Sequence, residues 1–209
     1  KEPEDLASLR FPVVRVDRAL RAELLGRAAE LFGDRLPVRT RGFPWWTQGL
    51  TQDLVFLRGF EPLMLDILDR PDWIHQVMGF LRDGQIARLE ALEEAGVLHY
   101  NNEGDPVGSG GLGATDQLPG SGTGSRPRLQ DLWALGEAQE FVHVSPAVFG
   151  TFVWPYQKAI LEKFGLSCYG CCEPLDGRYR FIKELGNLRR VSVSPWADQR
   201  EPASELGKD

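Results

Sequence analysis

Three cysteines fall within five residues, Cys168-Tyr169-Gly170-Cys171-Cys172, and Glu173 follows them directly. Soft thiols beside a hard carboxylate suit a bound metal or a thiol reaction. An odd, clustered set cannot cross-link distant parts of a fold, so a disulfide framework is excluded. The other reading is that one or two of them are small buried apolar residues. Alternation along a strand from Leu166 puts Cys168 and Gly170 on one face, Tyr169 and Cys171 on the other. Cys171 and Cys172 then stand at the strand's exit, with Cys168 deeper in. A catalytic zinc takes three protein ligands and keeps one position open. Cys171 is the first choice of ligand, followed by Cys172 or Glu173. Cys168-x-x-Cys171 also spells a thioredoxin-type redox pair, but that motif opens a helix and here its first cysteine lies inside a strand.

A second group, Asn101-Asn102-Glu103-Gly104-Asp105, reads as the exit of a strand over 97–101. In parallel α/β folds ligands bind beyond the carboxyl ends of the strands. Asn101 and Glu103 are therefore candidate catalytic residues together with Glu173, and Asp105 is a candidate substrate contact. The alternative is an Asn/Asp/Gly turn chosen for its backbone preferences. Arg39 and Arg41 offer bidentate contacts to substrate carboxylates. Gly108-Ser109-Gly110-Gly111-Leu112-Gly113 spells the dinucleotide pattern G-x-G-x-x-G, whose mechanism needs a helix to begin there. Asp116-Gln117-Leu118-Pro119-Gly120 follows instead, so a flexible lid over about 104–130 explains the glycines better. His75, His99 and His143 are scattered and form no Ser/His/Asp spacing.

The elements that position these residues alternate between strand and helix. Strands are expected at Phe11–Val16, Leu36–Val38, 97–101, Leu166–Tyr169 and Arg190–Val193. Residues 43–60 read as an aromatic, Gly-rich loop with a short apolar segment at Leu54–Leu57. Asp17 is an N-cap for a helix through Leu31, and a short helix runs from Glu61 to Leu68. The clearest apolar stripe is a helix from Asp72 to about Gly96. Ser145-Pro146 opens another helix running to Lys163, and a short one spans Arg178–Leu185. Strand and helix taking turns predicts α/β with a parallel sheet.

The 209 residues are 42% hydrophobic and 26% charged, which is ordinary for a soluble globular protein; the partner expected for it is a small-molecule substrate. A net charge of −6 argues against a nucleic-acid-binding face. No apolar run spans a bilayer, and thiols without a disulfide framework favour the cytoplasm. The chain starts without Met and ends partway through what reads as a helix, so it is expected to be a piece of something longer.

Leu63, Ile67 and Asp69-Arg70-Pro71-Asp72, the Asn101–Asp105 stretch, Ser145-Pro146 with Phe149, Phe152-Val153 and Pro155-Tyr156, then Cys168–Glu173, occur in an order that resembles the uroporphyrinogen decarboxylase-like superfamily. The similarity covers roughly residues 55–195. It implies a (β/α)8 TIM barrel with its site at the carboxyl ends of the strands, incomplete here, in one partial barrel domain over 1–209. A second copy in a homo-oligomer is one way to complete its core. Tyr156 lies within the most specific motif and is placed with the substrate contacts. The superfamily's methyltransferases bind zinc through His-x-Cys on one strand plus a distant Cys, and exchange methyl groups with a corrinoid partner protein. Tyr169 and Cys171 match the His-x-Cys positions. The distant Cys would fall beyond Asp209, leaving Cys172, Glu103 and Glu173 as candidates for the missing ligands. The resemblance implies a metal-activated methyltransferase. The alternatives are a decarboxylase or lyase acting on a carboxylated, porphyrinogen-like substrate, and a non-catalytic thiol-based binding or redox module.

Overall fold

The computed structural model describes residues 2–40, 47–108 and 111–207. Helix accounts for 49% of it and strand for 7%, in one three-stranded sheet. The strands are β1 (Trp133–Gly136), β2 (Leu166–Tyr169) and β3 (Leu188–Val191), parallel and in the order β1-β2-β3. This overturns the expected (β/α)8 barrel. The stretches 11–16, 36–38 and 97–101 form no strand among the described residues. Phe11 instead packs on Phe80, ring centroids 4.9 Å apart, and lies against Gly84. The outer edge of β1 is closed piecemeal: the Asn101 side chain serves Trp133, and the Gln48 N–H donates to the Leu135 carbonyl (2.7 Å). Those groups are thereby taken, and among the described residues no further strand pairs there.

Helices α1 (Arg18–Phe32), α2 (Thr51–Arg58), α3 (Phe60–Asp69) and α4 (Pro71–Glu94) precede the sheet. Local signals place α1: Asp17 accepts the Leu20 N–H (2.8 Å), as an N-cap should. Yet α1 contains no buried residue. The aromatic loop expected over 43–60 gives way, from Thr51, to α2, with Leu54 in the core. The helix expected from Ser145 to Lys163 is two, α5 (Pro146–Phe152) and α6 (Trp154–Leu161). Pro155 supplies no N–H to a carbonyl one turn back, so the helix is interrupted at Val153 and Pro155 stands in the first turn of α6. Helices α7 (Tyr179–Ile182) and α8 (Arg200–Glu205) complete the chain.

One face of the sheet packs on the helical core through Ala134 and Tyr169, with Leu63, Ile74, Met78, Phe149 and Ile160. The other carries Trp133, Leu135, Leu166 and Cys168 and is covered by Val107 and Leu118. The Gly-rich stretch expected to be a lid thus supplies the sheet's second layer. It is tied down by Trp133 Nε1 to the Gly113 carbonyl (2.9 Å) and by Arg190 to the Leu112 carbonyl (2.7 Å). Among the described residues no helix is long and apolar enough to cross a membrane.

Candidate functional site at the carboxyl edge of the sheet

Because the three strands are parallel, their exits gather on one edge: Glu137 after β1, Cys171, Cys172 and Glu173 after β2, Ser192 and Ser194 after β3. The ladder continues one step past the strands, with Gly170 N–H to the Gly136 carbonyl and Ser192 N–H to the Tyr169 carbonyl, both 2.8 Å. Gly170 has φ +94°, which turns the chain sharply and sets the two cysteines beyond the sheet.

Glu173 is 3% exposed and joins two of these exits. Its Oε1 accepts the Ala138 N–H and its Oε2 the Cys171 N–H, each at 3.0 Å. Both carboxylate oxygens accept backbone N–H groups, so Glu173 ties the β1 exit to the β2 exit. Arg178, equally buried, donates to the carbonyls of Phe141, Val142 and Val144, bracing the turn after β1 from the loop after β2. Burial pulls the Arg178 guanidinium below its ordinary pKa.

Glu137, just after β1, is 2% exposed. Its backbone carbonyl accepts Gln157 Nε2 (2.7 Å), and the Tyr169 hydroxyl in turn donates to Gln157 Oε1. Its Oε2 accepts the Gln139 N–H (2.9 Å). Burial pushes its carboxyl above the ordinary 4.5; the Gln139 N–H opposes the shift, while the neighbouring Glu140 and Glu173 charges add to it. Gly49 lies against both the Glu137 carbonyl and its Oε1, where a side chain would clash. Thr51 Oγ1 donates to Glu140 Oε2 (2.7 Å), so the start of α2 walls this side.

Cys171 is buried and Cys172 exposed; their sulfurs stand 3.7 Å apart. Ser192 Oγ donates to the Cys171 carbonyl (3.2 Å) and Ser194 Oγ to the Cys172 carbonyl (2.8 Å), holding the turn. Cys168 faces the second layer, and burial raises its thiol pKa. Among the described residues no group of three His, Cys, Asp or Glu side chains is placed to hold a metal ion. The two sulfurs suit a shared soft atom: two thiolates on a tetrahedral zinc, with Zn–S of about 2.3 Å, lie about 3.8 Å apart. As a catalytic zinc site the set is one ligand short of three.

The other sequence candidates lie elsewhere. Asn101 bonds Trp133, the first residue of β1, so the Asn101–Asp105 stretch sits at the amino end of the sheet rather than the carboxyl edge. Glu103 is exposed and accepts the Ser121 N–H (2.7 Å) and hydroxyl. Those bonds, with Arg39 nearby, hold its carboxyl below the ordinary value. Asp105 accepts Gly113 N–H on its backbone carbonyl (2.7 Å). Arg39 is exposed before residue 40, and Arg41 lies outside the described residues. Tyr156, on α6, shares a hydrogen bond between its hydroxyl and His75 Nδ1 on α4 (2.7 Å), beneath Arg82. Of the residues singled out in the sequence, the fold brings Cys171, Cys172 and Glu173 to the edge.

Glu137, Arg178 and Gln157 carried no motif. The available signal was the short apolar run Leu132–Leu135, closed by Gly136 and followed by an acid, which is how a buried parallel strand and its exit read. No family model matches the chain, and no curated protein or solved structure shows significant similarity to it.

Proposed function

We propose that the chain carries the site of a cytoplasmic methyltransferase of the kind its sequence resembles, exchanging a methyl group between a corrinoid-bearing partner protein and a thiol or similar acceptor. The observation that supports this most is Glu137, a buried carboxyl pushed above its ordinary pKa at the carboxyl edge of a parallel sheet. A carboxylate of raised pKa is a stronger base, and its acid form persists closer to neutral pH. Glu137 takes the acceptor's proton as its sulfur attacks the methyl group and returns it in the reverse direction. Glu173 keeps the β1 and β2 exits in register throughout. The partner's corrinoid would supply the methyl group and keep the electron pair of the bond that breaks. Cys171 and Cys172 offer two thiols where a catalytic zinc takes three protein ligands, so no step runs through zinc and the proton transfers use Glu137 alone.

The test is methyl transfer from methylcobalamin to a panel of thiols by the purified chain, wild type against Glu137→Gln. Loss of general acid–base help lowers the rate roughly 10²–10⁴-fold. Equal rates in the two proteins would sink the assignment of Glu137. A lyase is the second reading, favoured by the same carboxyl, whose raised pKa suits protonating the carbanion left when carbon dioxide departs. Carbon dioxide release from a carboxylated porphyrinogen, with no methyl transfer, would select it.

A further inference from the structure

The turn after β2 holds two thiols side by side, and among the described residues no group of three His, Cys, Asp or Glu side chains is placed to hold a metal ion. Cys171 and Cys172 sulfurs are 3.7 Å apart, and each residue's carbonyl is fixed by a serine from the β3 exit. Adjacent side chains on an extended backbone point to opposite faces. Here the turn at Gly170 and the serine bonds bring them together instead. A disulfide suits this pair poorly. Adjacent α-carbons across a trans peptide are about 3.8 Å apart, short of the roughly 4.4–6.8 Å that disulfides span. A single soft atom bridging the sulfurs needs no such approach. Zinc is that kind of atom, but it takes three or four protein ligands. The described residues supply two.

We propose that Cys171 and Cys172 form a two-thiol site for trivalent organoarsenic compounds. Such a compound is complete with one organic group and two sulfurs, so it asks nothing more of the protein. Cys172, exposed, makes the first bond; Cys171, buried behind it, closes the ring. In the step, two S–H bonds and the arsenic–oxygen unit are exchanged for two As–S bonds and one water. Arsenic stays trivalent and nothing is oxidised. The site stands apart from proton transfer at Glu137 and does not depend on it.

The experiment is intact-mass titration of the reduced 209-residue chain with phenylarsine oxide. One adduct per chain is expected, removed by a dithiol such as 2,3-dimercaptopropanol and not by an equal concentration of a monothiol. Cys172→Ser, at an exposed position, should weaken binding roughly a hundredfold through loss of the chelate. Cys171→Ser should do the same, and Cys168→Ser should bind like wild type. Undiminished binding by Cys172→Ser, or an adduct that requires Cys168, would overturn the proposal. So would one tightly held zinc per chain that blocks the arsenical, since it would mean a third ligand completes the pair.

Discussion

Asn101 works as a one-residue strand for Trp133: its Nδ2 donates to the Trp133 carbonyl at 3.0 Å, and the Trp133 N–H donates back to its Oδ1 at 2.9 Å. Both backbone groups of a buried strand residue are satisfied by one side-chain amide. Asn101→Ala leaves both without a partner and should lower stability by roughly 2–4 kcal/mol. Asn101→Asp restores the acceptor but sets a carboxylate against the carbonyl, so it should not rescue. Urea denaturation of the three proteins checks this. A loss within error for Asn101→Ala would mean that water replaces the amide.

Glu137 makes stability depend on pH with a definite sign. Its folded pKa lies above the ordinary 4.5, so the folded chain binds the proton more tightly than the unfolded chain. The contribution is full below 4.5 and is lost as pH rises through the folded value. Glu137→Gln does not titrate. The wild-type urea midpoint should therefore fall relative to that of the variant as pH is raised from 4.5. A constant difference between the two proteins would show that this carboxyl is not shifted.

Gly49 is required by contact rather than by its backbone angles. A Cβ there would run into the Glu137 carbonyl and stand 2.8 Å from its Oε1. Gly49→Ala should cost about 1–3 kcal/mol, as overpacking does. It should also reduce methyl transfer by displacing Glu137. Full activity with lowered stability would place the clash away from the reacting carboxyl.

Tyr156 supports α6 against α4 through His75 (2.7 Å). Tyr156→Phe keeps the ring beneath Arg82 and removes one hydrogen bond, a loss of about 0.5–1.5 kcal/mol. Steady-state kinetics should show an unchanged KM. A raised KM would return Tyr156 to the substrate contacts expected from its motif.

Local chemistry decided much of the chain by itself. Asp17 and Ser145 cap helices as their types predict, and the apolar stripe after Asp72 becomes α4. Leu166–Tyr169 is a strand with the bounds its sequence suggests, and Cys168 and Tyr169 face opposite layers as alternation puts them. These features depend on neighbours three or four positions away, so a sequence carries them openly. Tertiary structure decided what those elements face. The apolar residues of α1 promise a buried stripe, yet Leu24 is 53% exposed and Leu31 70%. The 97–101 stretch has strand-like residues, but Asn101 meets β1 through its side chain, which keeps the expected site at the opposite end of the sheet. Glu137 acquires its raised pKa from burial beside Glu140 and from Glu173, which arrives from another strand. Burial and charge proximity are sums over residues distant in the chain, and no local spacing encodes them.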